Sequence, residues 1–517
     1  MNFHLLFVSS VSACFELENT APYYAAVEYN VLLNGAPALT GMRTNVFSLF
    51  NLHPDTEYEV SVESSGEQET LAFSTKKETA CISVKDFGAV GDGEHDDTNA
   101  MTRALLCCPE GGRVTVPAGT YLTGPVVLKS HMTLELKEGA TLLGKTDEES
   151  YPRLPGEITD PETGEAVQIS TWEGEPHDCH QSFVSAFFAR DIVITGQGRI
   201  DANAQNADWW LHPKGREVAR GRLVFLNQCE DVVIHGITGA NSPSWNFHPF
   251  FSKNVSLYQV TVQAPKNSPN TDGTDPESCD GVNYIGVRFS VGDDAIAIKS
   301  GKMYMGMKYQ TPCRNIMIRN CLMEYAHAAI ALGSEMSGGI RDLKVSQCLV
   351  VHTDRGLRIK TRRGRGKYSV VDGVEFSNIK MENCMTPLVI NMYYECDAQG
   401  IEDYVDAKTP LPVDDRTPYL GDFTFRDMQC TDCEWAAGFF YGLPEQKIGS
   451  ITIENVDFTF KDEASAGRPA MMHGIPEYSK LGLSFNNVAK VTLKNVTVEG
   501  QEGPAFCGND APEEGEA

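Results

Sequence analysis

The sequence predicts an all-β protein in which a small β-sandwich over residues 1–78 precedes a solenoid of stacked strand coils over 79–500, with an acidic flexible tail at 501–517. Two patterns carry this reading. Residues 15–78 hold short alternating segments, Ala25 to Leu33 before Asn34-Gly35, Val46-Phe47-Ser48-Leu49 and Tyr58-Glu59-Val60-Ser61-Val62, which are strands separated by turn signals. From about residue 114 to 498, strand-like units recur at Val232-Val233-Ile234, Val255-Ser256-Leu257, Val282-Asn283-Tyr284-Ile285, Ile316-Met317-Ile318, Leu343-Lys344-Val345, Val374-Glu375-Phe376, Ile451-Thr452-Ile453 and Val491-Thr492-Leu493. Their spacing falls mostly in the band of roughly 20–50 residues that marks solenoids.

Composition narrows the partners. A formal charge of −27 over 517 residues argues against nucleic acid and anionic membrane surfaces, both of which need a positive field. The hydrophobic fraction of 41% is that of a globular chain, and no apolar run is long enough to span a bilayer. The 15 cysteines are odd in number and scattered, which fits a reducing compartment better than a disulfide framework. Oligomeric state leaves no signal in the sequence.

At the start, Leu5-Leu6-Phe7-Val8 followed by Val11-Ser12-Ala13-Cys14 has the apolar-then-small order of a signal peptide, ending in a lipoprotein-like box at Cys14. No Lys or Arg precedes the run, and the same residues serve as a first strand, so a cytoplasmic location is expected and an exported, Cys14-anchored form is the alternative. The run Leu52 to Val60 resembles the tyrosine corner of fibronectin type III domains, with Tyr58 as a structural residue. Beyond the boundary near Lys76 to Thr79, a helix is expected from Thr98 to Cys107, closing the open end of the strand stack. Gln228-Cys229, Asn320-Cys321, Gln347-Cys348 and Asn383-Cys384 read as equivalent positions in neighbouring coils, with structural thiols.

Three carboxylates stand out within one stretch. Asp272 lies in the turn-rich Asn270 to Pro276, and Asp293 and Asp294 lie in a Gly-Asp-Asp turn that runs into Ala295-Ile296-Ala297-Ile298-Lys299. Adjacent carboxylates repel, so one can stay protonated beside an ionised neighbour, as glycosidic cleavage requires. Arg355, Arg358, Lys360, Arg362, Arg363, Arg365 and Lys367 concentrate positive charge in an acidic chain. Strand alternation points Arg358 and Lys360 the same way, toward an anionic sugar.

Asn270 to Gly273, Gly292 to Asp294, Ala326-His327-Ala328 and Gly356 to Thr361, read as turns leaving successive coils on one side, resemble in order the Asn-Thr-Asp, Gly-Asp-Asp, Gly-His-Gly and Arg-Ile-Lys motifs of glycoside hydrolase family 28, the polygalacturonases. The stretch from Val84 to Tyr121 likewise resembles the N-terminal cap and first coils of right-handed parallel β-helix enzymes that act on pectin. The resemblance spans roughly residues 80–500. It implies a right-handed parallel β-helix, no cofactor, no metal, and inverting hydrolysis of pectic oligo- or polysaccharide. Asp293 is then the general acid, Asp272 and Asp294 activate water, His327 holds the acid's proton and orientation, and Asn270, Arg358, Lys360 and Tyr394 bind substrate. Ala326 and Ala328 replace the family's glycines, so either this turn is not left-handed or the histidine sits differently.

Two other segments bear on the groove. Trp245, in Asn241 to Pro249, reads as coil packing ahead of sugar stacking. The long polar insertion 152–180 reads as a wall that makes the enzyme exo-acting. Alternatives left open are endo cleavage, a rhamnogalacturonan or xylogalacturonan hydrolase, a pectate lyase, and a non-catalytic carbohydrate-binding β-helix.

Overall fold

The structure is a computed structural model that describes residues 2–396 and 398–512. Strands β1 (Phe3–Val8), β2 (Ala13–Leu17), β3 (Tyr24–Leu33), β4 (Ala36–Thr44), β5 (Val46–Leu49), β6 (Glu57–Ser64) and β7 (Glu67–Ser74) form two antiparallel sheets, ordered β1-β2-β5 and β4-β3-β6-β7. Phe15, Tyr29, Phe47, Val60 and Phe73 fill the space between them. The Tyr58 hydroxyl accepts a hydrogen bond from the His53 amide at 2.9 Å, tying the β5–β6 connection to the β6 strand. Leu5 to Val8 lie in β1, and Cys14 is fully buried in β2, where burial pushes its thiol up to about 12.

The helix expected at the cap is α1 (Thr98–Cys107), which buries Met101, Ala104 and Leu105 on one face. From residue 81 onward the chain winds into parallel coils. Their register stacks like on like: Ile192, Val232, Val255, Val282, Ile316, Leu343, Val374, Phe423, Ile451 and Val491 are successive rungs of one row. Inward aliphatic side chains at each rung give a continuous core, so each coil is stable only against its neighbours.

Two expectations need correction. The four polar-cysteine pairs are not equivalent. Register puts Cys321 over Cys348 at one corner, and Cys229 over Ser252, Cys279 and Cys313 at another, whereas Cys384 follows a third corner with Thr353. What Gln228, Asn320, Gln347 and Asn383 share is a positive φ of 52–54°, the local cost of turning a corner, and such corners recur several times per coil. The tail is also shorter than expected. Phe506–Cys507 adds a last rung against Leu483 and Ser484, because two apolar residues suffice to extend the sheet; residues 513–517 lie outside the described residues.

The sandwich is docked through a buried histidine. His235, on a β-helix strand, is fully buried, with Nε2 at 2.8 Å from Ser48 Oγ and Nδ1 at 3.1 Å from Ser12 Oγ and Thr195 Oγ1, while Phe50 stacks on its ring. Nearby, Arg319 and Asn320 donate to Glu16 at 2.6–2.7 Å. Burial holds His235 down at about 3, so the fold favours its neutral form. Its contribution is complete above the unfolded value of about 6.5 and is lost as pH falls from there toward 3. Melting temperature should therefore fall between pH 6.5 and 4, with a shallower slope in His235→Gln; equal slopes would remove His235 as the cause.

Candidate active site

Four successive coils present their outward side chains with one spacing, a residue, then its third, then its fifth. These are Asp272, Asp275 and Glu277; Asp294, Ala297 and Lys299; Ala328, Ala331 and Gly333; and Arg355, Arg358 and Lys360. Parallel pairing aligns them into three rows, because Thr274 pairs with Ile296, Ile296 with Ile330 and Ile330 with Leu357. Ala297, Ala328 and Ala331 are the small floor on which the charged side chains converge. The Arg-Ile-Lys segment is part of the strand Arg355–Lys360, not a turn.

One oxygen each from Asp272, Asp293 and Asp294 lie within 4.8 Å of one another. Such a trio has the spacing of a cation site, and two protein cations face one of its members: Lys360 Nζ is 2.6 Å from Asp294 Oδ2, and an Arg358 nitrogen is 3.8 Å from Oδ1. Against burial, which works to raise it, Lys360 and Arg358 hold Asp294 at about 2. Asp272 has the opposite setting. Burial, then Asp275 and Asp293, push it well above the ordinary carboxylate range. Gly273 keeps this pair of coils flush, since a Cβ there would lie 2.3 Å from the Ala295 carbonyl oxygen.

Asp293 is the accessible acid, its side chain 25% exposed, and its Oδ1 receives the Asp294 amide at 3.0 Å and faces His327 Nδ1 at 3.2 Å. That contact with Asp293 raises His327, whose ring is half exposed. Neither Ala326 nor Ala328 has a positive φ; the left-handed residue of this turn is Tyr325, φ 57°, so the corner moves one place upstream and His327 still reaches the acid. Tyr394 is nearly buried, its ring 5.9 Å from both Arg358 and Lys360. Asn270 is engaged through its side-chain carbonyl. Its Oδ1 accepts from buried Arg220 at 2.6 Å, which also donates to the carbonyls of Pro213, Pro243 and Pro269, so its carbonyl is spent on shaping the turn before Asp272.

Trp245 is packing. Its ring stacks on Trp172 at 6.4 Å, with Arg222 between the two. Trp172 belongs to a hairpin, Thr171–Trp172 with Glu175–Pro176, inside the insertion. Stacking of Trp172 on Trp245 sets the hairpin over the coil just before Asp272, and at its tip the Gly174 carbonyl accepts from the Lys302 amide at 2.9 Å. At the other end Arg355 donates to the Arg468 and Pro469 carbonyls, and Met471 lies on the Arg358 guanidinium. The open strip between spans three rung spacings, roughly 14 Å. A cavity of about 580 Å³ elsewhere, between sandwich and β-helix near Phe50, Gln197 and Gln259, has no acid, base or cation in its lining and no part in this chemistry.

Residues 110–408 match the family described as glycosyl hydrolases family 28. The chain belongs to that family. It is a glycoside hydrolase. A probable polygalacturonase of Vitis vinifera is 33% identical over 384 residues, 72% of this chain and 73% of that protein. An exo-poly-alpha-D-galacturonosidase of Dickeya chrysanthemi is 25% identical over 511 residues, 87% and 80% of the two chains. Among solved structures, a family 28 exopolygalacturonase of Yersinia enterocolitica superposes with a TM-score of 0.71 at 20% identity over 98% of each chain, and a hyperthermoactive exopolygalacturonase of Thermotoga maritima with 0.65 at 24% over 81% and 92%. These two give the fold, a right-handed parallel β-helix.

Three charged residues beside the trio lie outside the four motifs: Asp275, Lys299 and Glu335. Lys299 Nζ is 3.1 Å from Glu335 and 3.7 Å from Asp275, all three nearly inaccessible. The repeated spacing of the four coils was the signal that would have found Asp275 and Lys299.

Proposed function

We propose that this enzyme hydrolyses α-1,4-linked galacturonate chains by single displacement and releases single units from a chain end. The observation that carries the reading is the Lys360–Asp294 contact of 2.6 Å, with Arg358 beside it, because it sets two cations fit for a uronate carboxylate directly against the acids that cleave. The relatives named for polygalacturonate supply the substrate class.

Asp293, the accessible acid, protonates the departing oxygen, and His327 returns its proton from solvent. Asp272 and Asp294 hold the attacking water between them. Inverting enzymes commonly separate their carboxyls by about 6.5–9.5 Å, and this trio is tighter. The recessed setting of Asp272 and Asp294, 4% and 0% exposed, favours a bridging water over direct attack by either carboxylate. The first-formed product should then be the β-anomer by NMR, and α-anomer would replace this scheme with a retaining one.

The hairpin over the strip before Asp272 supports removal from a chain end. Polygalacturonate should yield monomer alone from the earliest times, whereas an early oligomer mixture with a rapid fall in viscosity would make the enzyme endo-acting. Release from rhamnogalacturonan or xylogalacturonan only would move the substrate within the family. A short strip suits short imported fragments and a cytoplasmic location. Recovery in a membrane or extracellular fraction would favour the exported alternative at Cys14. No helix among the described residues is long and apolar enough to cross a membrane.

A further inference from the structure

The hairpin that closes the strip turns on two residues, Glu173 and Gly174, with φ of 47° and 77°. A two-residue turn with both φ positive is the type I′ form, whose first place favours Asn, Asp or Gly because a longer side chain is strained there. Glu173 carries that strain with its side chain 36% exposed. Its neighbours hold it in place. The Gly174 carbonyl accepts from the Lys302 amide, and a Cβ at Gly174 would lie 2.8 Å from both the Lys302 backbone nitrogen and Glu335 Cγ. A strained residue fixed by its surroundings is a common device of ligand clamps.

Glu173 faces a cation. Lys302 Nζ lies 3.9 Å from Glu173 Oε2, and its own side chain is 30% exposed, so the pair is open to a ligand and loose enough to admit one. Lys302 stands at the start of α2 (Met303–Tyr309), and the same helix holds the insertion: Lys308 Nζ is 3.3 Å from Glu157, and the Tyr309 hydroxyl accepts from Gln168 at 2.9 Å. Trp172 stacks on Trp245, one rung before Asp272, whereas Lys302 follows Lys299 on the coil of Asp294. The tip therefore passes across the Asp272 coil. The pair stands just beyond the row of Glu277, Lys299, Gly333 and Lys360, at the end of the strip that the hairpin closes.

We propose that Glu173 and Lys302 read the free end of the chain: Glu173 accepts from the 4-hydroxyl of the non-reducing terminal galacturonate, and Lys302 pairs with the carboxylate of the same sugar. This rests on the release of single units proposed above. The hydroxyl on C4 and the carboxylate on C5 are borne by neighbouring ring carbons, so an acceptor and a cation 3.9 Å apart suit them. The 4-hydroxyl has one configuration, whereas the reducing end interconverts between anomers and offers a fixed acceptor no fixed donor. An internal unit has that oxygen in its glycosidic bond and cannot donate. A site built to accept from a hydroxyl rejects a ligand that lacks it, so the contact admits chain ends and refuses chain interiors.

The test compares three trimers: trigalacturonate, its 4,5-unsaturated form, which lacks the 4-hydroxyl, and its alditol, reduced at the other end. Wild type should cleave the first and third alike, and the second with kcat/KM lower by about tenfold or more, the scale of one hydrogen bond to an ionised acceptor. Glu173→Asn suits the turn and withdraws the carboxylate. Its melting temperature should hold while kcat/KM on trigalacturonate falls toward the unsaturated value, which itself stays unchanged. Glu173→Gln, with the stem at full length, should narrow the ratio in the same direction. Lys302→Met keeps the amide that holds Gly174 and should lower both trimers equally, since both carry the terminal carboxylate. Equal wild-type rates on the saturated and unsaturated trimers would overturn the inference, as would an undiminished ratio in both Glu173 variants, or discrimination against the alditol instead. Failure of the exo reading is separate, since it would appear in the wild type as an early oligomer mixture from polygalacturonate.

Discussion

Asp293→Asn should abolish turnover while leaving fold and substrate binding intact. The amide has the shape of the acid, can keep the Asp294 amide on its oxygen, and lies where the side chain is a quarter exposed, so nothing buried is left unpaired. What it loses is the proton for the departing oxygen. General acid catalysis is typically worth about 10²–10⁴-fold, so kcat should fall by at least about a hundredfold with KM for trigalacturonate and the melting temperature close to wild type. A purified variant that kept more than about a tenth of wild-type activity would move the acid elsewhere in the trio. Asp272, which burial and its neighbours push well above the ordinary range, would be first in line. The same variant separates His327 from Asp293: with no carboxyl to recharge, His327→Ala in the Asp293→Asn background should cost nothing further.

The fold was legible because its period is written in side chains that must be apolar. Val232, Val255, Val282, Ile316, Leu343 and Val374 are spaced unevenly along the chain but fall in one row, since loops of different length leave a coil without disturbing the stack. Asp272, Asp293, Asp294, His327, Arg358 and Lys360 were legible through ordered motifs. The Arg220 contact of Asn270 could not be read from the sequence, because Arg220 is 50 residues upstream and two rungs away in the stack. The cysteines were misread for a related reason: a coil has several corners, and a polar residue before a buried one marks any of them. The histidine turn was open in the sequence, since the two alanines excluded a left-handed site on themselves but not at Tyr325. Lys299 and Glu335 were invisible as a pair, because their contact joins strand ends on neighbouring rungs.

Lys360→Met should be the most damaging single change in the binding strip, because one ammonium does two jobs. In the resting protein it lies 2.6 Å from Asp294 Oδ2 with both side chains almost inaccessible, and Arg358 at 3.8 Å is the only other basic group within ion-pair distance of Asp294 among the described residues. Removing one partner of a buried pair leaves an uncompensated charge and typically costs about 3–5 kcal/mol. Asp294, held at about 2, contributes its stability above the unfolded carboxylate value of about 3.9 and loses it only as pH falls through 2, so the deficit is complete at pH 7. Asp294 should also drift upward in the variant, raising the acidic limb of the activity profile. On substrate, loss of the cation should lower kcat/KM far more for free-acid oligogalacturonates than for methyl-esterified ones, which offer no carboxylate to pair. Equal losses on both would confine Lys360 to the support of Asp294. The double variant Lys360→Met, Asp294→Asn decides how the stability is shared: if the deficit comes from a stranded carboxylate, the second substitution should recover most of the lost melting temperature, whereas additive losses would mean that the lysine stem, not its charge, holds the strip together.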